Sequence, residues 1–236
     1  MNVVQVIAIY ALPVIFAITL HEAAHAYAAK YFGDLTAYSQ GRVSLNPIRH
    51  IDPIGTVALP LLMLALSKLF GGGFIFGWAK PVPVNFGNLR HPKRDMLWVA
   101  AAGPGANLVM AIFWVLMVKL SYTEILGELS FPLALMGAAG VVTNAIFMVL
   151  NLLPIPPLDG GRIMVSLLPH RQAYLFSRIE PYGFFIILAM MFVRVQGERL
   201  LDYLLWPLVT IAINFVAIPF DVSPVDLNTL IKLMSK

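Results

Sequence analysis

Residues 6–20, VIAIYALPVIFAITL, contain no charged side chain and run directly into HEAAH at 21–25. An uncharged run of this length predicts a helix that enters a membrane. His21 and His25 are four residues apart, so a helix places both imidazoles on one face, one turn apart. That spacing lets two imidazoles bind one zinc ion while Glu22 acts on water as a general base. This stretch therefore predicts a membrane helix that carries a metal-binding motif.

The composition of the whole chain indicates a membrane protein. Of its 236 residues, 59% are hydrophobic and only 12% are charged, whereas soluble domains are about half apolar and a quarter charged. We therefore expect the lipid bilayer to surround much of the surface. The net charge of +4 indicates cytoplasmic flanks and anionic headgroups, and no nucleic-acid partner. Because the chain has no cysteine, a metal site must use His, Asp or Glu.

The hydrophobic segments predict an all-α polytopic membrane protein with about five to six transmembrane segments. We expect one helix over 3–32 and further apolar segments at 55–70, 96–118, 133–153, 182–193 and 201–220. A cleaved signal peptide is the less favoured reading of the first run, because no Lys or Arg precedes Lys30. Segment 55–70 has basic flanks at both ends. It either re-enters the bilayer, or it spans the bilayer and GWAKPVPVN at 77–85 dips back.

Two polar stretches predict a short β or re-entrant element near the cytoplasmic side. Val43 and Leu45 alternate with polar neighbours, which is typical of a short strand. Pro81 and Pro83 exclude a helix and favour an extended edge.

Residues 1–220 are expected to form a single integral-membrane domain with its core at 1–170, followed by a tail at 221–236. In the tail, Ser223 is the expected N-cap and Pro224 the first helical residue. One face of this helix is apolar, which predicts an amphipathic helix at the membrane surface. The residues of that face are Leu227, Leu230, Ile231 and Met234.

The distribution of charge predicts the orientation of a multi-pass protein in the cell membrane. Loop 121–132 carries two glutamates and no Lys or Arg, so we expect it outside. The stretches 77–95 and 162–180 are rich in Lys and Arg and are expected in the cytoplasm. Loop 30–53 is basic as well and is assigned to the same side.

A catalytic zinc site needs a third protein ligand beside His21 and His25. Asp159 is the best candidate, because it follows a proline break in NLLPIPPLDGG at 151–161, at the end of an apolar segment. Irregular backbone at membrane depth is tolerated only where it is buried in protein or lines a wet cavity. The alternative is an ordinary helix-ending turn whose aspartate faces water. The remaining histidines, His50, His91 and His170, are expected to be solvated or to brace loops.

Three motifs, HEAAH at 21–25, GPGAN at 103–107 and NLLPIPPLDGG at 151–161, resemble those of the site-2 protease family of intramembrane zinc metalloproteases, peptidase family M50. The stretches NPIRHIDPIG and GWAKPVPVN further resemble the small prokaryotic branch without PDZ or CBS domains. The resemblance implies a three-helix catalytic core with one catalytic zinc ion bound by His21, His25 and Asp159, and with Glu22 as the general base. It also implies cleavage of membrane-spanning protein substrates, in regulated intramembrane proteolysis, at a site accessible from the cytoplasm. We hypothesise that the extended edge at Pro81 and Pro83 pairs with a substrate segment that has unwound for hydrolysis.

Three asparagines are expected near this site. Asn151 is predicted to hydrogen-bond the substrate or the developing oxyanion, the alternative being a polar contact between helices. Asn107 of GPGAN is expected to shape the site by satisfying backbone groups that Pro104 frees. Asn144, seven residues before Asn151, is expected to be structural.

Two other classes of protein were weighed against a protease. A membrane metal transporter would place more ligands along a pathway and would not need Glu22 between the histidines. A catalytically inactive protein that binds transmembrane helices would not need the complete ligand set. No oligomeric state is predicted from the sequence.

Overall fold

The computed structural model describes residues 3–58, 62 and 79–234 of the chain. The α-helices of this part are α1 Val3–Tyr31, α2 Thr36–Ser39, α3 Pro92–Ser121, α4 Ser130–Leu152, α5 Asp159–Leu167, α6 His170–Ser177, α7 Gly183–Phe192, α8 Leu200–Ala217 and α9 Pro224–Met234. Short 3₁₀ turns lie at Pro47–Arg49, Phe86–Asn88, Glu124–Leu129, Glu180–Tyr182 and Ile218–Phe220, and a π-helical turn lies at Pro53–Ala58. Strands β1 Arg194–Val195 and β2 Glu198–Arg199 form a two-stranded antiparallel sheet.

Five helical segments of the described part are long and apolar enough to cross a membrane. They are Val4–Tyr31, Pro92–Ser121, Ile125–Leu152, His170–Phe192 and Leu200–Phe220. The prediction of an all-α polytopic membrane protein is therefore confirmed. The prediction for segment 55–70 falls outside the described residues, except for its start in the π-helical turn and residue 62.

The predicted strand around Val43 and Leu45 is wrong. Residues 42–46 carry no strand, and the small sheet lies instead between α7 and α8. Its two-residue turn has positive φ at both Gln196 (54°) and Gly197 (89°). These values suit the type I′ turn, whose twist matches that of a hairpin. Residues 79–85 form neither helix nor strand.

Helices α1, α3 and α4 pack against one another. Small residues on α4 allow α3 to approach closely. A Cβ added at Gly140 would lie 2.2 Å from the ring of Trp114, and one added at Gly137 would lie 2.6 Å from the side chain of Val118. Because neither position has room for a side chain, the two helices are held in one register.

Helix α9 begins at Pro224, directly after Ser223, as predicted. Its apolar face packs on the bundle rather than facing outwards. Leu227 is fully buried, Met234 is buried, and both belong to the main hydrophobic cluster together with residues of α3, α4 and α8. An interfacial position of this helix stays a prediction.

Asp34 joins the chain after α1 to the segment before α3. Its buried carboxylate accepts hydrogen bonds from the Thr36 backbone and hydroxyl, from the Asn85 N–H and from the Asn88 amide. Burial alone would raise the pKa of Asp34, but these hydrogen bonds outweigh it and hold the pKa below its ordinary value. A charged acceptor therefore fixes segment 79–88 beside the end of α1.

We predict that Asp34→Ala loosens segment 79–88 and lowers the free energy of unfolding by about 1–3 kcal/mol, because buried donors lose a charged acceptor. The contribution of the Asp34 carboxylate to the free energy of unfolding should be complete above the ordinary carboxyl pKa. It should be lost as the pH falls through the lowered pKa of Asp34 in the folded state. Thermal unfolding and limited proteolysis at neutral and at acidic pH measure both effects. Asp34→Asn, which keeps one acceptor oxygen, is the matched control. Equal proteolysis of the alanine variant and the unmodified chain at neutral pH would contradict this prediction.

Candidate metal centre

His21, His25 and Asp159 meet inside the protein. The Nε2 atoms of His21 and His25 are 3.1 Å apart, and Asp159 Oδ2 lies 3.2 Å from the first and 3.3 Å from the second. All three side chains are buried, and together they form a group able to hold a metal ion. The structure thus brings together the two histidines of HEAAH and the aspartate 134 residues after His25.

The ring nitrogens that face away from this point have fixed partners. His25 Nδ1 lies 2.7 Å from the Val99 carbonyl oxygen, which can only accept, so Nδ1 is the protonated nitrogen. His21 Nδ1 lies 2.6 Å from Asn107 Oδ1. In the neutral imidazoles, both Nε2 atoms then carry lone pairs directed toward Asp159 Oδ2.

This arrangement fits a metal ion. Ligands about 2.0–2.2 Å from a tetrahedral zinc ion lie about 3.3–3.6 Å from one another, close to the separations of these three atoms. Asp159 Oδ2 is buried and has no hydrogen-bond partner among the described residues. Two nitrogen lone pairs and a carboxylate oxygen facing one another repel without a cation between them. Three protein ligands leave the fourth position of a tetrahedral zinc ion open, as catalytic sites require.

Gly103 of α3 lies directly against the two imidazoles. A Cβ added there would be 2.4 Å from His25 Nε2 and 2.6 Å from His21 Nε2, closer than atoms can approach. The glycine therefore leaves the space that the ring nitrogens occupy. Gly105, two residues further along α3, is exposed.

Asp159 reaches the histidines because the chain folds back on itself after α4. The Ile155 N–H donates to the Leu153 carbonyl, and the Leu158 N–H donates to the Ile155 carbonyl. Asp159 is then the first residue of α5, and a Cβ added at either glycine that follows would lie 2.2–2.4 Å from backbone atoms of the turn. The glycines of LDGG therefore let α5 begin close to the end of α4.

Glu22 is half-buried on α1 beside segment 79–85. Its Oε2 accepts a hydrogen bond of 2.8 Å from the backbone N–H of Val82. Val82 is itself buried against Ala26 and Ala37. The carboxylate is therefore held by a segment that the sequence suggested only as an edge for substrate.

Two further asparagines lie behind His21, and both are fully buried. The Asn107 amide donates to the Ala17 carbonyl (3.2 Å) and to Asn144 Oδ1 (3.0 Å). The Asn144 amide donates to the Gly140 carbonyl (2.9 Å). The expectation that Asn107 satisfies backbone groups freed by Pro104 is wrong, because its amide is directed to α1 and α4. The purely structural role expected of Asn144 stays a prediction, and its link to His21 through Asn107 was not foreseen.

Asn151 and the remaining histidines lie elsewhere. The Asn151 amide donates to the Phe147 carbonyl of its own helix (3.0 Å), and its role toward substrate stays a prediction. His50 is fully buried and bonds the Ser44 carbonyl, so it braces a loop. His91 precedes α3 and His170 begins α6.

Comparison with known proteins places the chain beside peptidases. The model of Peptidase family M50 matches residues 127–194, a range that includes Asp159. "Putative zinc metalloprotease YwhC" of Bacillus subtilis is 39% identical over 197 residues, which cover 82% of each chain. "Putative zinc metalloprotease Rip2" of Mycolicibacterium smegmatis is 28% identical over 81% of this chain and 70% of its own. Its namesake in Mycobacterium tuberculosis is 36% identical over 64% of this chain and 52% of its own. No solved structure matches this chain significantly.

Proposed function

Because the chain belongs to peptidase family M50, we propose that it is a zinc metalloprotease that hydrolyses peptide bonds within or near the transmembrane segments of other membrane proteins. The observation that carries this proposal is the convergence of three buried donor atoms, 3.1–3.3 Å apart, between membrane-spanning helices. The placement of this group among helices that can cross a membrane supports a membrane-spanning substrate over a soluble one.

In this proposal His21, His25 and Asp159 hold the zinc ion, and Glu22 is the general base. When bound, zinc supplies Lewis-acid activation for the hydrolysis. The Glu22 carboxylate takes the proton of the attacking water and passes it to the leaving amine. The Val82 N–H, which bonds only one carboxylate oxygen, keeps the side chain oriented and leaves the other oxygen for this transfer. Asn151 is assigned to the substrate or the oxyanion.

We assign the cytoplasm to the end of the bundle where α1 finishes. The Arg90 N–H donates to the Phe32 carbonyl (3.0 Å), so the end of α1 and the start of α3 lie together. The basic residues of both flanks, Lys30, Arg42, Arg49, Arg90, Lys93 and Arg94, therefore share this side. Counted from Lys30, His25 and His21 lie about 8 and 14 Å inward along the helix. Substrate within the bilayer and water from the cytoplasm would meet at that depth.

Metal removal tests the proposal. We expect the purified full chain, reconstituted in lipid nanodiscs with a single-span substrate, to cleave it, to lose activity with a chelator and to regain activity with zinc. Asp159→Asn should reduce zinc affinity at least about 100-fold, since a lost ligand costs more than the ~10–100-fold typical of an outer-shell partner. Asp221→Asn is the control, because Asp221 is an exposed carboxylate paired with Lys119. Cleavage that persists after zinc has been removed completely would refute the proposed function.

A further inference from the structure

We propose that Asn107 and Asn144 form an amide relay that fixes His21 in the tautomer and orientation needed for metal binding. The inference rests on the proposed function and adds two positioning residues to it. The relay runs from Gly140 and Asn144 on α4, through Asn107 on α3, to His21 on α1. It therefore links α1, which carries both histidines of the metal centre, to α3 and α4.

The direction of every hydrogen bond in the relay follows from its fixed ends. The Gly140 carbonyl can only accept, so the Asn144 amide nitrogen faces it and Asn144 Oδ1 faces Asn107. The Ala17 carbonyl can likewise only accept from the Asn107 amide nitrogen. Asn107 therefore has only its oxygen left for His21. The His21 proton must reside on Nδ1, which leaves the Nε2 lone pair for the metal.

The relay is fully enclosed. Asn107 and Asn144 are both 0% exposed, so their polar atoms have no contact with bulk water. An unsatisfied buried amide costs about 1–3 kcal/mol, which makes the alternative orientation of either side chain unfavourable. The two asparagines therefore hold the proton of His21 in place before any metal arrives.

His25 provides the internal comparison. Its Nδ1 is oriented by the Val99 backbone carbonyl, and that acceptor is present whatever side chain occupies position 99. His21 depends on side chains alone. Replacing Asn107 should therefore disturb His21 and leave the orientation of His25 intact.

Zinc affinity, measured by competition with a chromophoric chelator, tests the relay in the full chain in nanodiscs. We expect Asn107→Ala to lose about 10–100-fold in affinity, the usual loss for an outer-shell partner of a metal-binding histidine. Asn107→Asp keeps an acceptor for His21 and should bind more tightly than the alanine variant. Asn144→Ala should lose less than Asn107→Ala, and the double variant should lose no more than Asn107→Ala alone, because the two act in series. Ser121→Ala, which removes a buried hydroxyl that donates to the Val118 carbonyl of the same helix, is the control and should not change affinity.

The outcomes separate the relay from the proposed function. An unmodified chain that binds no zinc overturns both. The relay alone is overturned if Asn107→Ala binds zinc as tightly as the unmodified chain. It is also overturned if the loss of zinc affinity in the double variant is the product of the two single losses. Nitrogen NMR of ¹⁵N-histidine-labelled chain gives a readout that survives misfolding of the variants. In the unmodified protein, His21 must be protonated at Nδ1, and a His21 protonated at Nε2 would refute the relay.

Discussion

Glu22→Gln is expected to lose at least about 100-fold in peptide cleavage while zinc affinity stays unchanged. A glutamine amide cannot take a proton from water, and general-base catalysis contributes about 10²–10⁴-fold. The glutamine oxygen can still accept the Val82 N–H bond, so the side chain should keep its place. Cleavage of a reconstituted single-span substrate and zinc competition, measured on the same preparation, check the two halves of this prediction. Glu180→Gln, at an exposed carboxylate, is the matched control.

This variant also separates the proposed protease from the other two classes. A transporter would move zinc across a vesicle membrane with or without the Glu22 carboxylate. A protein that only grips transmembrane helices would cleave nothing in either form. Undiminished cleavage by Glu22→Gln would eliminate the assigned base, whatever the metal does.

Gly103→Ala is expected to lose zinc affinity by at least about 100-fold, and cleavage with it. The added methyl group would lie 2.4–2.6 Å from the Nε2 atoms of His25 and His21, so at least one imidazole must leave its position. Such a displacement moves a proposed metal ligand itself. The loss of zinc affinity should therefore exceed the ~10–100-fold typical of changing a residue that only contacts a ligand. Zinc competition and the spectrum of the cobalt-loaded variant would report the altered coordination.

Gly105→Ala is the control for Gly103→Ala. It lies on the same helix, and no atom of the described residues lies within 4 Å of a Cβ added there. Alanine also favours a helix over glycine by about 1 kcal/mol, so this variant should be at least as stable as the unmodified chain. Equal losses in the two variants would mean that helix α3 as a whole, and not the contact with the imidazoles, responds to alanine.

Much of the fold could be predicted because lipid imposes simple rules on a sequence. Apolar runs of sufficient length must be helices, since backbone groups in lipid need internal partners. The predicted 3–32, 96–118 and 133–153 correspond to α1, α3 and α4. The strand at Val43 failed because alternation over a few residues is weak evidence, and the polar residues there are used in turns and loop contacts. The hairpin at 194–199 was missed, although Gln196-Gly197 has the glycine that its turn requires.

The candidate site could be predicted only where spacing along a helix or a known motif specifies it. The four-residue spacing of His21 and His25 is a property of one helix. The neighbours that hold these side chains and Glu22 come from elsewhere in the chain: Asn107 bonds His21, Val99 bonds His25 and Val82 bonds Glu22. Such contacts depend on how helices pack, and no pattern within one helix encodes them. Asn107 stood in a motif that the sequence had already singled out, but only the packing of α3 on α1 showed its partner.

The position of Asp159 also bears on how the polypeptide enters the bilayer during synthesis. The aspartate starts α5, outside the five helical segments that can cross a membrane. An aspartate at the centre of an inserting helix costs about 2.5–3.5 kcal/mol, whereas histidine and asparagine enter uncharged. Of the acidic side chains assigned to the metal centre, only Glu22, near the end of α1, therefore has to be inserted as part of α1, α3 or α4. The Asp159 carboxylate follows α4 in the chain, so none of these three helices has to carry it into lipid.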